Sequence, residues 1–373
     1  MNIVIHVGPP KSGTSAIQKW LLSNIERLNN NGFYYPSHES DPNGISSGNV
    51  LSIFSRDTED KLVFDKHRYT DLVIEAKRQN CHTVVFSSEF FFQQIQILAE
   101  QIPQAKFIAY LRFPAEVIES AYNQGVKRHQ EVKAFGIDKN PKYFQVHVLF
   151  REVKAVGIER FQLRPYHPRC FVGGEIVSDF LAAIGWDLVT NKLKVSSERV
   201  NTSYSLEALE FKRWFNQYNV KELQEKLDYF LQNYQGPTAN YSLIPSEIFE
   251  IYRNTHLQIL NDVGNFFRIV NLDKFIEACR QQKQRPFARQ VLPDEEFLKI
   301  ATEFLAAYAE MAPAVFKTLK ERDAPDGTYK SPHRIKLILG LIPVKVKFRF
   351  WFCHIVKRFK KSTIKGVVRS VNK

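Results

Sequence analysis

Cysteine is sparse in this 373-residue chain: Cys81, Cys170, Cys279 and Cys353 stand alone, with no CxxC or Cys–His spacing. That scatter argues against a zinc site and for a reducing compartment. Acid is missing from one end. Lys330–Lys373 holds 13 Lys and Arg and no Asp or Glu. The whole chain has 52 basic and 39 acidic residues, so residues 1–329 are formally neutral and the net charge of +13 belongs to the tail. The partner implied by charge is therefore a partner of the tail, and the body loses its reason to be read as nucleic-acid binding. No positively charged start followed by an apolar core precedes Ile3, so neither a signal peptide nor an anchor is expected there. Internal repeats and low-complexity linkers are absent too. The length allows one large domain or two small ones with a sizeable core.

What is present is concentrated in Ile3–Trp20, IVIHVGPPKSGTSAIQKW. A β-rich run (Ile3–Val7) feeds Gly-Pro-Pro, then Lys-Ser-Gly-Thr-Ser, then the helical pattern Ala16, Ile17, Trp20, Leu21. Strand, glycine-bearing loop and helix start make an anion cradle, because successive N–H groups and the helix N-terminus face one point. Gly8 and Gly13 stand five apart, as in a nucleotide-binding P-loop. That motif sets lysine directly after the second glycine. Here Thr14 and Ser15 occupy the place, and the lysine lies upstream at Lys11.

Two further runs read as strands ending in charge. Thr83–Glu89 ends in Ser87, Ser88 and Glu89; Lys106–Arg112 is followed by Phe113-Pro114 and a helix, Ala115–Arg128, bearing Ser120 eight residues after Arg112. Proline suits the first turn of that helix. Ligands of open parallel sheets gather at the C-terminal strand ends, so Glu89 shares a rim with residues 8–15 if the strands are parallel. Arginine offers a planar fork to a phosphate, and serine adds a short donor. Single helices are expected over Ser15–Leu28, Tyr69–Arg78 and Glu175–Ile184, a strand over Phe161–His167, and a polar loop near the site over Ser37–Asn49.

The segment Pro10-Lys11-Ser12-Gly13-Thr14-Ser15 resembles the 5′-phosphosulfate loop of sulfotransferases, and Arg112 with Ser120 resembles their 3′-phosphate motif. The likeness is to bacterial carbohydrate-type members. It covers roughly residues 1–205, with specific motifs only at 8–15 and 112–120. It implies 3′-phosphoadenosine 5′-phosphosulfate (PAPS) as donor, adenosine 3′,5′-bisphosphate as product, and no metal. Lys11 and the N–H groups of Ser12 to Ser15 would stabilise charge on the leaving phosphate. The hydroxyls of Ser12, Thr14 and Ser15 would hold it, and Arg112 with Ser120 would anchor the 3′-phosphate. Glu89 would take the acceptor proton, with His6 and His129 as weaker candidates. Arg199 and Asn201, with Ser203, are similar to a cluster that closes over the donor; the competing reading is a plain helix start capped by Ser205. Tyr166 lies where relatives approach the adenine, but its default reading is core packing.

The expected fold is therefore α/β: a P-loop-type three-layer fold with a parallel sheet flanked by helices, plus a helical C-terminal extension. One domain spans 1–323 (core 1–205, extension 206–323), and a basic, aromatic-rich tail spans 324–373. Arg253, Asn254 and His256 read as a solvated helix face. Residues 344–352 fit a strand or a helix equally, and Lys345 and Lys347 exclude a spanning segment. The resemblance and the tail together suggest a saccharide or glycolipid acceptor, with residues 330–373 at an anionic membrane surface rather than on nucleic acid. The expected location is cytoplasmic, at the inner membrane face. A P-loop nucleotide kinase or NTPase, and a non-catalytic nucleotide- or polyanion-binding protein of the same fold, are the alternatives.

Overall fold

A computed structural model describes residues 1–40, 46–141, 144–188, 204–264, 266–321 and 331–352. In chain order the elements are β1 (Asn2–His6), α1 (Thr14–Ser23), α2 (Ile25–Asn30), β2 (Phe33–Tyr34), β3 (Phe54–Arg56), β4 (Leu62–Phe64) and α3 (Lys66–Arg78). There follow β5 (Thr83–Ser87), α4 (Ile95–Gln101), β6 (Lys106–Leu111), α5 (Pro114–Arg128), α6 (Phe144–Val156), β7 (Phe161–Pro165) and α7 (Ile176–Ala183). From there on the elements are helices: α8 (Leu206–Phe215), α9 (Gln224–Asn233), α10 (Ser246–Gly264), α11 (Leu272–Arg280), α12 (Asp294–Ala307), α13 (Ala312–Glu321) and α14 (His333–Leu341).

Five strands form one sheet in the order β2-β5-β1-β6-β7, every neighbouring pair parallel. The central strands are near-continuous apolar runs because both faces are covered, as parallel sheets require. Val85 and Ile108 pack with Ile17, Leu21 and Phe180 of α1 and α7 on one face. Ile3, Ile5, Phe86 and Phe107 pack with Ala76, Leu98, Leu149, Leu260 and Phe275 on the other. This gives three layers. His6 pairs with Ser87 on one side and Ile108 on the other, so β1 and β5 end level while β6 runs on three residues further, to Leu111. The chain leaves β1 to one side for β2 and β5, then crosses to β6. The rim beside β1 is thus the switch point where such sheets bind ligands.

Some local expectations need correction. The helix expected over 15–28 is two helices, broken at Asn24, whose side chain donates to the Trp20 carbonyl at 2.8 Å. Strand β5 stops at Ser87, and Glu89 opens a short 3₁₀ turn capped by Ser88. His256 is buried, not on a solvated face. Residues 344–352 are helical.

By packing, the chain divides into two units that interleave in sequence. One holds Met1–Ser120, Ile137–Val200 and Ile244–Gln284; the other holds Ala121–Gly136, Asn201–Leu243 and Arg285–Lys373. The first contains the sheet. The second has its own core, built on Phe211, Trp214, Phe215, Phe297, Phe304 and Leu319. Within it Ser205 caps α8, accepting from the Ala208 N–H at 3.3 Å. Among the described residues no helix is long and apolar enough to cross a membrane.

Candidate anion site at the strand rim

The loop after β1 is pinned at both ends. Val7 N–H donates to the Ile108 carbonyl at 3.1 Å, and Tyr110 N–H donates to the Gly8 carbonyl at 3.1 Å. Gly8, Lys11 and Gly13 all have left-handed backbone, at φ 86°, 69° and 87°. For Lys11 that conformation is unusual. Ser12 is buried, and its hydroxyl donates to the Pro9 carbonyl, closing the loop on itself. Gly13 is the N-cap of α1, its carbonyl accepting from Ala16 and Ile17. Thr14 and Ser15 open the helix, where N–H groups have no intrahelical acceptor and the dipole favours an anion.

Arg112 follows β6 and reaches this loop. Its Nη1 donates to the Lys11 carbonyl at 2.7 Å, and its Nε donates to Glu116 at 3.0 Å. The guanidinium lies 4.9 Å from the centre of the Tyr166 ring. That ring also covers Gly13: a Cβ there would stand 2.7 Å from Tyr166 Cε2 and 3.0 Å from Ile176 Cγ1. Gly13, Arg112 and Tyr166 therefore form one packed cluster, drawn from the ends of β1, β6 and β7. Ser120 is half-buried, two helical turns along α5 from Pro114.

Glu89 sits beside the loop on the β5 side, its Cα 3.6 Å from where a Cβ on Gly8 would lie. It is half-buried. Residues 46–49 are fastened across the same strand end. Asn49 is buried and acts as a short strand edge: its N–H donates to the Ser87 carbonyl at 3.2 Å, and its Oδ1 accepts from Ser87 N–H at 2.8 Å. Ser88 Oγ donates to the Ser47 carbonyl at 2.6 Å. A Cβ on Gly48 would fall 1.9 Å from the Ser87 carbonyl oxygen, so only glycine fits. Gln18, from α1, donates to that same carbonyl at 3.2 Å. Farther out, His38 bridges the Tyr35 hydroxyl and Ser46 Oγ, each at 2.8 Å.

Behind the rim lie groups that shape it without facing solvent. His6 is fully buried, bonded through Nδ1 to Ser87 Oγ at 2.9 Å, and burial pushes its imidazole down to about 3. It is a core group with no exposed surface, and that burial leaves an acceptor no way to reach it. Arg164 makes a buried two-pronged pair with Asp179, at 2.6 and 2.7 Å. Asp179 also accepts from the Tyr110 hydroxyl and from Val172 N–H, both at 2.9 Å. That ties β6, β7 and α7 together directly under the Tyr166 cluster.

The structure brings Pro10, Lys11, Ser12, Gly13, Thr14, Ser15, Glu89 and Arg112 to one rim, with Ser120 farther along α5. Arg199, Asn201 and Ser203 lie outside the described residues, as do 324–330 and 353–373 of the tail. His129 is exposed in the second unit, past the end of α5. Asn49 belongs to the polar loop expected near the site and Tyr166 to the expected strand 161–167, whereas nothing in the sequence marks Glu116 or Gln18. Among the described residues no cluster of His, Cys, Asp or Glu could hold a metal ion. A concavity lined by Asn2, Thr83, Lys106 and Phe161 opens at the opposite, N-terminal ends of the strands, the wrong edge for a parallel sheet's ligand. Neither family models nor curated protein sequences match this chain.

Proposed function

We propose that the protein is a PAPS-dependent sulfotransferase of P-loop type, acting on a hydroxyl or amine of a saccharide or glycolipid. One observation carries this reading. The Arg112 guanidinium donates to the backbone of Lys11, 101 residues away, at 2.7 Å. The loop that would hold the 5′-phosphosulfate and the arginine that would hold the 3′-phosphate thus share one rim. The residue set fits a nucleotide with two separate anionic groups: a helix start and left-handed loop for one, and a planar guanidinium for the other. The position of the lysine, upstream of Gly13, favours this donor over a nucleoside triphosphate with magnesium.

In the reaction, Lys11 and the N–H groups at the start of α1 stabilise charge growing on the bridging oxygen as the S–O bond to the donor phosphate breaks. Arg112 and Ser120 fix the nucleotide so that the sulfur faces the acceptor. Glu89 accepts the proton that the acceptor oxygen or nitrogen loses as its bond to sulfur forms. Incubating the protein with radiolabelled PAPS and cell-envelope extract should label a saccharide-bearing product. Lys11→Ala and Glu89→Gln should each abolish labelling. A fully active Glu89→Gln enzyme would move the base elsewhere, and an unlabelled extract with every saccharide acceptor tried would sink the activity.

A further inference from the structure

The helical segment 344–352 of the second unit has two apolar faces, and only one of them is used. Val346 and Phe350 turn inward onto that unit's core, with the Phe350 ring 5.2 Å from Phe316. Val344, Phe348, Trp351 and Phe352 turn outward and are 66%, 69%, 68% and 68% exposed. At about 100° per residue these four occupy one arc, itself about 100° wide and opposite the buried pair. Lys345 and Arg349 border that arc on one side and Lys347 on the other. Single exposed apolar residues are ordinary, but four on one stripe of a helix mark an interaction surface.

We infer that this face lies on an anionic lipid bilayer, with the four apolar side chains in the headgroup boundary and the flanking cations on lipid phosphates. The inference is independent of the proposed activity. Charge selects the occupant: from Lys330 onward the chain holds 13 basic residues and no acid. A second copy docked face to face would set Lys345, Lys347 and Arg349 against their own counterparts, since a two-fold contact pairs a patch with itself. Nucleic acid calls for cations along the middle of a groove, whereas here the rings are central and the cations marginal. Aromatic centre and basic margin are the order of an interfacial helix.

The test uses the full chain with vesicles of phosphatidylcholine, alone or with equimolar phosphatidylserine. Wild type should sediment with the mixed vesicles, and binding should drop at least tenfold in F348S/W351S/F352S. In K345Q/K347Q/R349Q it should drop by about fivefold per charge. Fluorescence quenching by brominated phosphatidylserine, lost in Trp351→Phe, keeps the test sharp should the triple variants fold poorly. Wild type that stays in the supernatant, vesicle binding untouched by the aromatic changes, or quenching unchanged in Trp351→Phe would each overturn the inference. So would a wild-type dimer that the aromatic variant dissolves, or RNA binding in place of lipid binding.

Discussion

Replacing Gly13 by alanine perturbs the loop in two separable ways. The backbone there has φ +87°, a conformation that costs an L-residue about 1–2 kcal/mol. The new methyl would also stand 2.7 Å from Tyr166 Cε2 and 3.0 Å from Ile176 Cγ1, and overpacking of this kind costs about 1–3 kcal/mol. The two add to roughly 2–5 kcal/mol, and at about 2–4 °C per kcal/mol the melting midpoint should fall on the order of 5 °C or more. Pushing Tyr166 outward should also shift Arg112, whose guanidinium rests on that ring. Binding of adenosine 3′,5′-bisphosphate should therefore weaken by more than tenfold. Thermal unfolding followed by circular dichroism, with calorimetry for the ligand, reads both effects. In Gly13→Ala/Tyr166→Ala the tighter of the two clashes is removed, while the Ile176 contact and the backbone part remain, so the two changes should be non-additive. A single Gly13→Ala variant that melts at the wild-type midpoint and binds the bisphosphate normally would refute the packing argument.

Three other outcomes follow from the same contacts. Asp179→Asn leaves Arg164 charged and buried at 6% exposure, and breaking such a pair should cost about 3–5 kcal/mol in a denaturant titration. Glu116→Gln frees Arg112 from its carboxylate partner, so the bisphosphate should bind several-fold tighter by calorimetry; unchanged or weaker binding would show that Glu116 orients Arg112 productively. His6 and His256 are buried and held down to about 3 from an ordinary 6.5. Their stability contribution is complete above about pH 6.5 and is lost as pH falls toward 3, because the unfolded imidazoles take up protons that the folded ones refuse. The slope is up to about 1.4 kcal/mol per pH unit for each histidine. Urea midpoints at pH 7 and pH 5 should differ accordingly, and His6→Asn should remove about half of that slope.

The parallel sheet and its rim were legible because local signals agreed with the global arrangement. The apolar runs of β1, β5 and β6, each ending in glycine, serine or charge, are what a doubly covered sheet with ligands at one edge requires. Helix boundaries were less so. Asn24 breaks a continuous apolar periodicity through a side-chain bond to Trp20, a competition that composition alone does not reveal. The fastening of Asn49, Gly48 and Gln18 onto Ser87 joins segments up to 69 residues apart, and no spacing rule reaches that far. Tyr166 packs on the core beside Phe171, as its default reading has it, and the same ring also covers Gly13 and Arg112. Residues 344–352 fit two periods equally until the seating of Val346 and Phe350 selected the helix. The interleaving of the two units, with 244–284 returning to the sheet, was invisible in the pattern of helices.

The most direct test of the donor site is calorimetry of adenosine 3′,5′-bisphosphate against ATP with magnesium, on wild type and on Arg112→Ala. The bisphosphate should bind without metal, Arg112→Ala should abolish that binding, and ATP with magnesium should bind far more weakly. Tight binding of ATP with magnesium, with no heat from the bisphosphate, would contradict the proposed donor.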